Sequence, residues 1–150
     1  EAHLRAAIDL VREGRWDVGT CATPLNTDIA RMDASVVKVA RAASGRALYF
    51  SRSPIPYKRD EKPIGEELER EPFLRHIGIY SYTRAALHDW VALAPSQLER
   101  LELLEQLRPL EAGLKIGVAI VGAVDPGVDT PADVIRIEEK LSEQGATTFA

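Results

Sequence analysis

The run "FLRHIGIYSYTR" over residues 73–84 constrains the fold more than any other stretch of the chain. Two-residue alternation across it puts Leu74, His76, Gly78, Tyr80 and Tyr82 on one face of a strand and Phe73, Arg75, Ile77, Ile79 and Ser81 on the other. The second face is largely apolar and asks for a packing layer. The first carries His76 and Tyr80 with only Gly78 between them, so two polar groups are expected to flank a gap that no side chain fills.

Elements of both kinds recur on either side of this strand. Leu4, Ala7, Ile8 and Val11 follow the spacing of an amphipathic helix that ends near Gly14, and "DVGTCATPL" (17–25) reads as a short strand. Residues 26–34 are polar and read as irregular. "VVKVARA" (36–42) and "ALYFSR" (47–52) are strands joined by "ASGR" as a hairpin. Four prolines and ten charged residues over 53–72 predict a long exposed loop. Thr83 caps a helix "RAALHDWVAL" that Pro95 stops. Ser96 and Glu99 form a capping box that opens one helix through "QLERLELLEQLRPLEAG", with leucines 98, 101, 104, 107 and 110 as a buried stripe and a bend at Pro109. "KIGVAIVGAV" (115–124) is an apolar strand, and a last helix starts at Thr130 and Pro131, with Asp133 in its first turn. The expectation is a single domain over 1–150, α/β in class, with a mixed sheet, flanking helices and an antiparallel hairpin portion.

Composition narrows the function. A length of 150 residues with 45% apolar and 28% charged residues is that of an ordinary globular domain, and a net charge of −4 argues against nonspecific nucleic-acid binding. The single Cys21 excludes an internal disulfide and a cysteine-based zinc site. No stretch is apolar and long enough to span a membrane, and no signal peptide opens the chain, so a cytoplasmic location without membrane partners is expected. The chain begins inside a helix without an initiator methionine, which predicts that it continues a longer protein. A phosphate-binding glycine loop ending in Lys-Ser or Lys-Thr, paired histidines at i, i+4, and a serine in a G-x-S-x-G turn are all missing, which leaves nucleophilic catalysis and autonomous nucleotide binding without support.

Several residues stand where chemistry is plausible. Arg52 ends a strand beside the proline-rich loop, where a guanidinium fork suits a ligand or caps a neighbouring carbonyl. His76 and Tyr80 are either core groups or ligand contacts. Glu105 and Gln106 lie beside the bend expected at Pro109. Asp129 precedes the Thr130 cap, a place where an acid also favours the helix dipole.

Four motifs in order, "ALYFSRSPIPY", "FLRHIGIYSY", "LERLELLEQLRPLEAG" and "GVDTPAD", resemble the 3-deoxy-manno-octulosonate cytidylyltransferase (CMP-Kdo synthetase) family, and the resemblance runs over about the whole chain. It implies the C-terminal portion of a nucleotide-diphospho-sugar transferase (Rossmann-like) fold, the sugar-binding and dimerisation part, with the CTP-binding part preceding residue 1. It also implies transfer of CMP from CTP to Kdo with Mg²⁺ assistance, releasing pyrophosphate, for lipopolysaccharide synthesis by a homodimer. Carried over residue by residue, the resemblance makes Arg52, His76, Tyr80, Glu105 and Gln106 sugar contacts and Asp129 a catalytic metal ligand. The gap above Gly78 would then receive the sugar acid. Pro109, in place of an ordinary helix former, and the loop over 60–72 depart from the family pattern. Two other possibilities stay open: a cytidylyltransferase for 8-amino-Kdo or a nonulosonate, and an inactive module that only binds or dimerises.

Overall fold

Among the described residues five strands pair into one mixed sheet, and the long strand read from residues 73–84 lies at its centre. They are β1 (Val18–Pro24), β2 (Lys38–Arg41), β3 (Ala47–Ser51), β4 (Leu74–Tyr82) and β5 (Ile116–Ile120), in the spatial order β3-β2-β4-β1-β5. The computed structural model describes residues 1–25, 27–59 and 72–122, with positions 134, 135, 138, 139 and 142. All pairings are antiparallel except that of β1 with β5, where Val18 aligns with Ile116. The hairpin expected around "ASGR" joins β2 to β3, with Gly45 at φ 92° in its turn, a conformation open to glycine at little cost.

The two faces of the sheet are covered as the alternation requires. On one side lies α1 (Ala2–Arg12), whose Ala7 packs with Cys21 and Ile77. The helix backbone comes so near β1 that a Cβ on Gly19 would stand 2.2 Å from the Ala7 carbonyl oxygen, which also accepts from Ser81 Oγ at 2.5 Å. Only glycine permits this approach. On the other side the main core joins Val18, Val39, Phe50, Leu74, Trp90, Leu107 and Ile116. Trp90 comes from α3 (Arg84–Ala92), whose Thr83 cap accepts from the Ala86 N–H at 3.0 Å as its sequence predicts.

Two expectations are corrected. Residues 26–34 are not wholly irregular: Asp28–Met32 forms a short helix, α2, capped by Thr27 and braced by an Arg31–Asp28 ion pair of 2.9 Å. Five residues show no readable apolar period, so the sequence pattern hides it. The leucine-rich stretch is two helices rather than one, α4 (Gln97–Glu102) and α5 (Leu107–Glu111). Pro109 has no N–H to give the Glu105 carbonyl, and breaking the helix upstream puts the proline in the first turn of α5, where no such bond is needed. The leucine stripe divides accordingly, with Leu104 and Leu107 buried and Leu101 left 73% exposed. Glu99 ties the pieces together. It completes the capping box with Ser96 and also accepts from Arg108 of α5 at 2.5 and 2.7 Å.

The break turns on Leu103, which sits at φ 53°, ψ 48° in the left-handed region with 74% of its surface exposed. A leucine there costs about 1–2 kcal/mol. Glycine avoids that cost and loses about 0.5–1 kcal/mol of it again through chain entropy. Leu103→Gly is therefore expected to stabilise the chain by about 0.5–1 kcal/mol, read as a higher urea midpoint with unchanged slope. A lower midpoint would show that the leucine side chain contributes contacts worth more than its backbone strain.

The apolar strand expected over 115–124 is seen at Ile116–Ile120. Residues 123–124 of that strand, positions 60–71 of the long loop, and the Thr130, Pro131 and Asp133 helix start lie outside the described residues.

Candidate functional site

His76 and Tyr80 do share one face of β4, but not across an open gap. The pairing register with β1 passes from Thr20↔Tyr80 to Cys21↔Ile77, so Gly78 and Ile79 are extra residues in a bulge. The bulge draws the His76 and Tyr80 rings to a centroid separation of 5.5 Å, so the two rings meet each other. Gly78 itself faces open space, since a Cβ built on it meets nothing within 4 Å. A row of rings follows. Phe50 meets His76 edge-on at 4.9 Å, Tyr80 stacks with Tyr82 at 6.0 Å, and Trp90 closes on Tyr80 and Tyr82 at 6.0 and 5.3 Å.

Burial sets the charge state of this row. It pushes the His76 imidazole down from 6.5 to about 4, so the ring is neutral at physiological pH. The Tyr80 hydroxyl is pushed far up by burial first and then by the nearby Glu105 carboxylate. Tyr82 is raised by the same two causes. Tyr80 therefore stays protonated and keeps a proton to donate.

Glu105 and Gln106 occupy the turn between α4 and α5 that the Pro109 break creates. The Glu105 residue is exposed while Gln106 is 2% exposed, and the Gln106 Oε1 has no hydrogen-bond partner. A buried amide oxygen without a donor is uncommon and costly, and a ligand hydroxyl would satisfy it.

Arg52 reaches the same turn by another route. Its guanidinium donates to the Glu102 carbonyl at 2.7 Å, the Ala34 carbonyl at 2.9 Å and the Leu103 carbonyl at 3.3 Å. Carbonyl capping is thus what its fork does here, and it fastens the end of β3 to the α4–α5 turn. The structure brings His76, Tyr80 and Glu105 together directly, and it links Arg52 to the chain segment that carries Glu105 and Gln106.

Three residues that position this cluster were not singled out from the sequence. Glu102 accepts from Ser51 Oγ at 2.6 Å and from the Arg52 N–H at 2.9 Å. Lys38 is fully buried, and its ammonium donates to the carbonyls of Asp33 at 2.8 Å, Val36 at 2.6 Å and Arg52. Desolvation is the main cause lowering its pKa, offset by the Asp33 and Glu102 carboxylates. A lysine inside the apolar run "VVKVA" was the available signal. Thr20, whose Oγ1 lies 2.9 Å from His76 Nε2, had none, because that contact depends on the bulge opposite it.

Asp129, the expected metal ligand, lies outside the described residues. Among the described residues no three His, Cys, Asp or Glu side chains gather into a cluster that could hold a metal ion. No helix among the described residues is long and apolar enough to cross a membrane.

The mixed sheet with helices on both faces is shared with a solved nucleotide-sugar transferase fold. The chain superposes with a TM-score of 0.80 and 35% identity on a CMP:2-keto-3-deoxy-manno-octonic acid synthetase solved in complex with CTP, covering 92% of this chain and 54% of that one. The family profile described as cytidylyltransferase matches residues 1–116, and the chain belongs to that family. Its relatives include the 3-deoxy-manno-octulosonate cytidylyltransferases of Xanthomonas euvesicatoria pv. vesicatoria, 41% identical over 146 residues, and of Gemmatimonas aurantiaca, 45% identical over 135 residues. These alignments take in 94% and 89% of this chain but 56% and 50% of the relatives, so the chain spans about half their length.

Proposed function

We propose that the whole protein transfers CMP from CTP to 3-deoxy-D-manno-octulosonate (Kdo), giving CMP-Kdo and pyrophosphate, and that residues 1–150 are its sugar-binding and dimerisation part. The observation that carries this reading is the 41% identity over 146 residues to a relative bearing that activity in its name. The anomeric hydroxyl of Kdo attacks the α-phosphorus of CTP, an oxygen–phosphorus bond forms as the α–β phosphoanhydride bond breaks, pyrophosphate departs and the hydroxyl proton is released to solvent. Catalysis of this kind rests on positioning and charge neutralisation. His76, Tyr80, Glu105 and Gln106 supply neutral and acidic groups suited to sugar hydroxyls, and Arg52 holds the turn that presents two of them.

The reading includes Mg²⁺ with Asp129 as a ligand, supported by the preference of that ion for carboxylate oxygen. It also includes a homodimer, a cytoplasmic location and supply of the product to lipopolysaccharide assembly. The homodimer is supported by the edge position of β3, on which Leu48 is 56% exposed.

The test is pyrophosphate release by the whole protein with CTP and Kdo, set beside 8-amino-Kdo and a nonulosonate. Preference for either other sugar would replace Kdo in this reading, and turnover with none would leave only a binding module. Tyr80→Phe in the same assay is expected to raise the KM for Kdo about fivefold, the worth of one neutral hydrogen bond, and to leave that for CTP unchanged. Equal losses for both substrates would remove Tyr80 from the sugar site.

A further inference from the structure

The β4 bulge turns two carbonyls toward one hydroxyl. Thr20 Oγ1, on the neighbouring strand, lies 2.8 Å from the Ile79 oxygen, 3.2 Å from the Ile77 oxygen and 2.9 Å from His76 Nε2. Thr20 is fully buried, so water does not compete for these contacts. A threonine hydroxyl carries a single proton, and a carbonyl oxygen can only accept. If that proton went to Nε2, the hydroxyl lone pairs would face the Ile79 oxygen at 2.8 Å with no hydrogen between them. Given instead to Ile79, the proton leaves a lone pair on Oγ1 that Nε2–H fills.

We propose that Thr20 is a positioning residue that holds His76 in its Nε2–H tautomer, so that Nδ1 meets the substrate as an acceptor for a sugar hydroxyl. The inference rests on the sugar-acid reading above and sharpens it. The two ring nitrogens of a neutral imidazole are distinct, and the bond made by one decides what the other offers. Burial among Phe50 and Tyr80 keeps the ring uncharged, which agrees with this role. A bare lone pair repels a carboxylate and welcomes an O–H. His76 thus selects a hydroxyl of the polyhydroxy acid, and the acid group must be met by another residue.

The experiment has two arms. In the first, the whole protein is labelled with ¹⁵N-histidine, and long-range ¹H–¹⁵N correlation at pH 7.5 reads the His76 tautomer without any ligand. Wild type and Thr20→Ser are expected to show a protonated Nε2 and a bare Nδ1, whereas Thr20→Val should show a mixture or the opposite tautomer. A protonated Nδ1 in wild type, or a Thr20→Val spectrum identical to it, overturns the inference. In the second arm, Thr20→Val should raise the KM for Kdo about fivefold with the KM for CTP unchanged, and Thr20→Ser should restore it. A tautomer change with no change in the Kdo KM would overturn the acceptor role. Failure of the protein to use Kdo at all would sink the substrate reading while leaving the tautomer result standing, so the two failures are distinguishable. Should Thr20→Val not fold, the wild-type and Thr20→Ser spectra still decide the assignment.

Discussion

Replacing Lys38 with methionine is expected to lower the unfolding free energy by about 3 kcal/mol, or roughly 10 °C in Tm. The shape of the side chain is nearly kept, so little cavity opens. What is lost is one ammonium that serves three carbonyls, those of Asp33, Val36 and Arg52, at a position with no exposed surface. A part-buried acceptor left without its donor costs about 1–3 kcal/mol, and of the three the Asp33 carbonyl keeps the Val36 N–H at 3.2 Å. Part of that is offset, because burying the cation is itself unfavourable, as the lowered Lys38 pKa records. The damage should spread to the site, since Arg52 is anchored both through its own carbonyl and through its fork on the α4–α5 turn. Equilibrium urea unfolding of wild type and Lys38→Met checks this. Equal midpoints would mean that the carbonyls find other donors and that Lys38 is not the peg of the β2–β3 end.

The second large effect is a pH dependence carried by His76. Its pKa is about 4 in the folded chain against 6.5 when exposed. Below 6.5 the unfolded chain binds a proton that the folded one refuses, so the contribution is whole above that pH. It is lost progressively as pH falls toward 4 and constant below it. At about 1.4 kcal/mol per pH unit the loss comes to roughly 3 kcal/mol. The protein is expected to lose that much more stability between pH 7 and 4 than His76→Gln, whose amide keeps a donor near Thr20 and does not titrate. Urea unfolding at a series of pH values separates this difference from the carboxylate titrations that both proteins share. Parallel curves would show that the imidazole is protonated in the native state without penalty.

Much of the architecture was legible because short-range signals and long-range packing agreed. The alternation in 73–82 placed His76, Tyr80 and Tyr82 on one face and Ile77 and Ile79 on the other, and the structure keeps that division because the bulge adds two residues, an even number. Thr83 and the Ser96–Glu99 box opened the helices they were expected to open, since a cap is decided by side chains within one turn. Cytidylyltransferase membership was likewise expected from motifs in order along the chain, and the family profile matches residues 1–116.

Tertiary structure decided the rest. Whether His76 and Tyr80 flank a gap or touch depends on the register of β4 against β1, and the bulge that sets it is invisible in a period-two pattern. The break at Leu103 reflects where Pro109 can be tolerated once α4 and α5 pack on the sheet and are tied by Glu99 and Arg108. Lys38 read as one lysine among valines, and its meaning came from three carbonyls, one of them fourteen residues away. The sequence by itself determined which residues are apolar, capped or turning, because those are properties of a few neighbouring side chains. It left to the folded chain which polar atoms meet, because a hydrogen bond needs two groups within about 3 Å, and only the closing of the sheet brings distant segments that near.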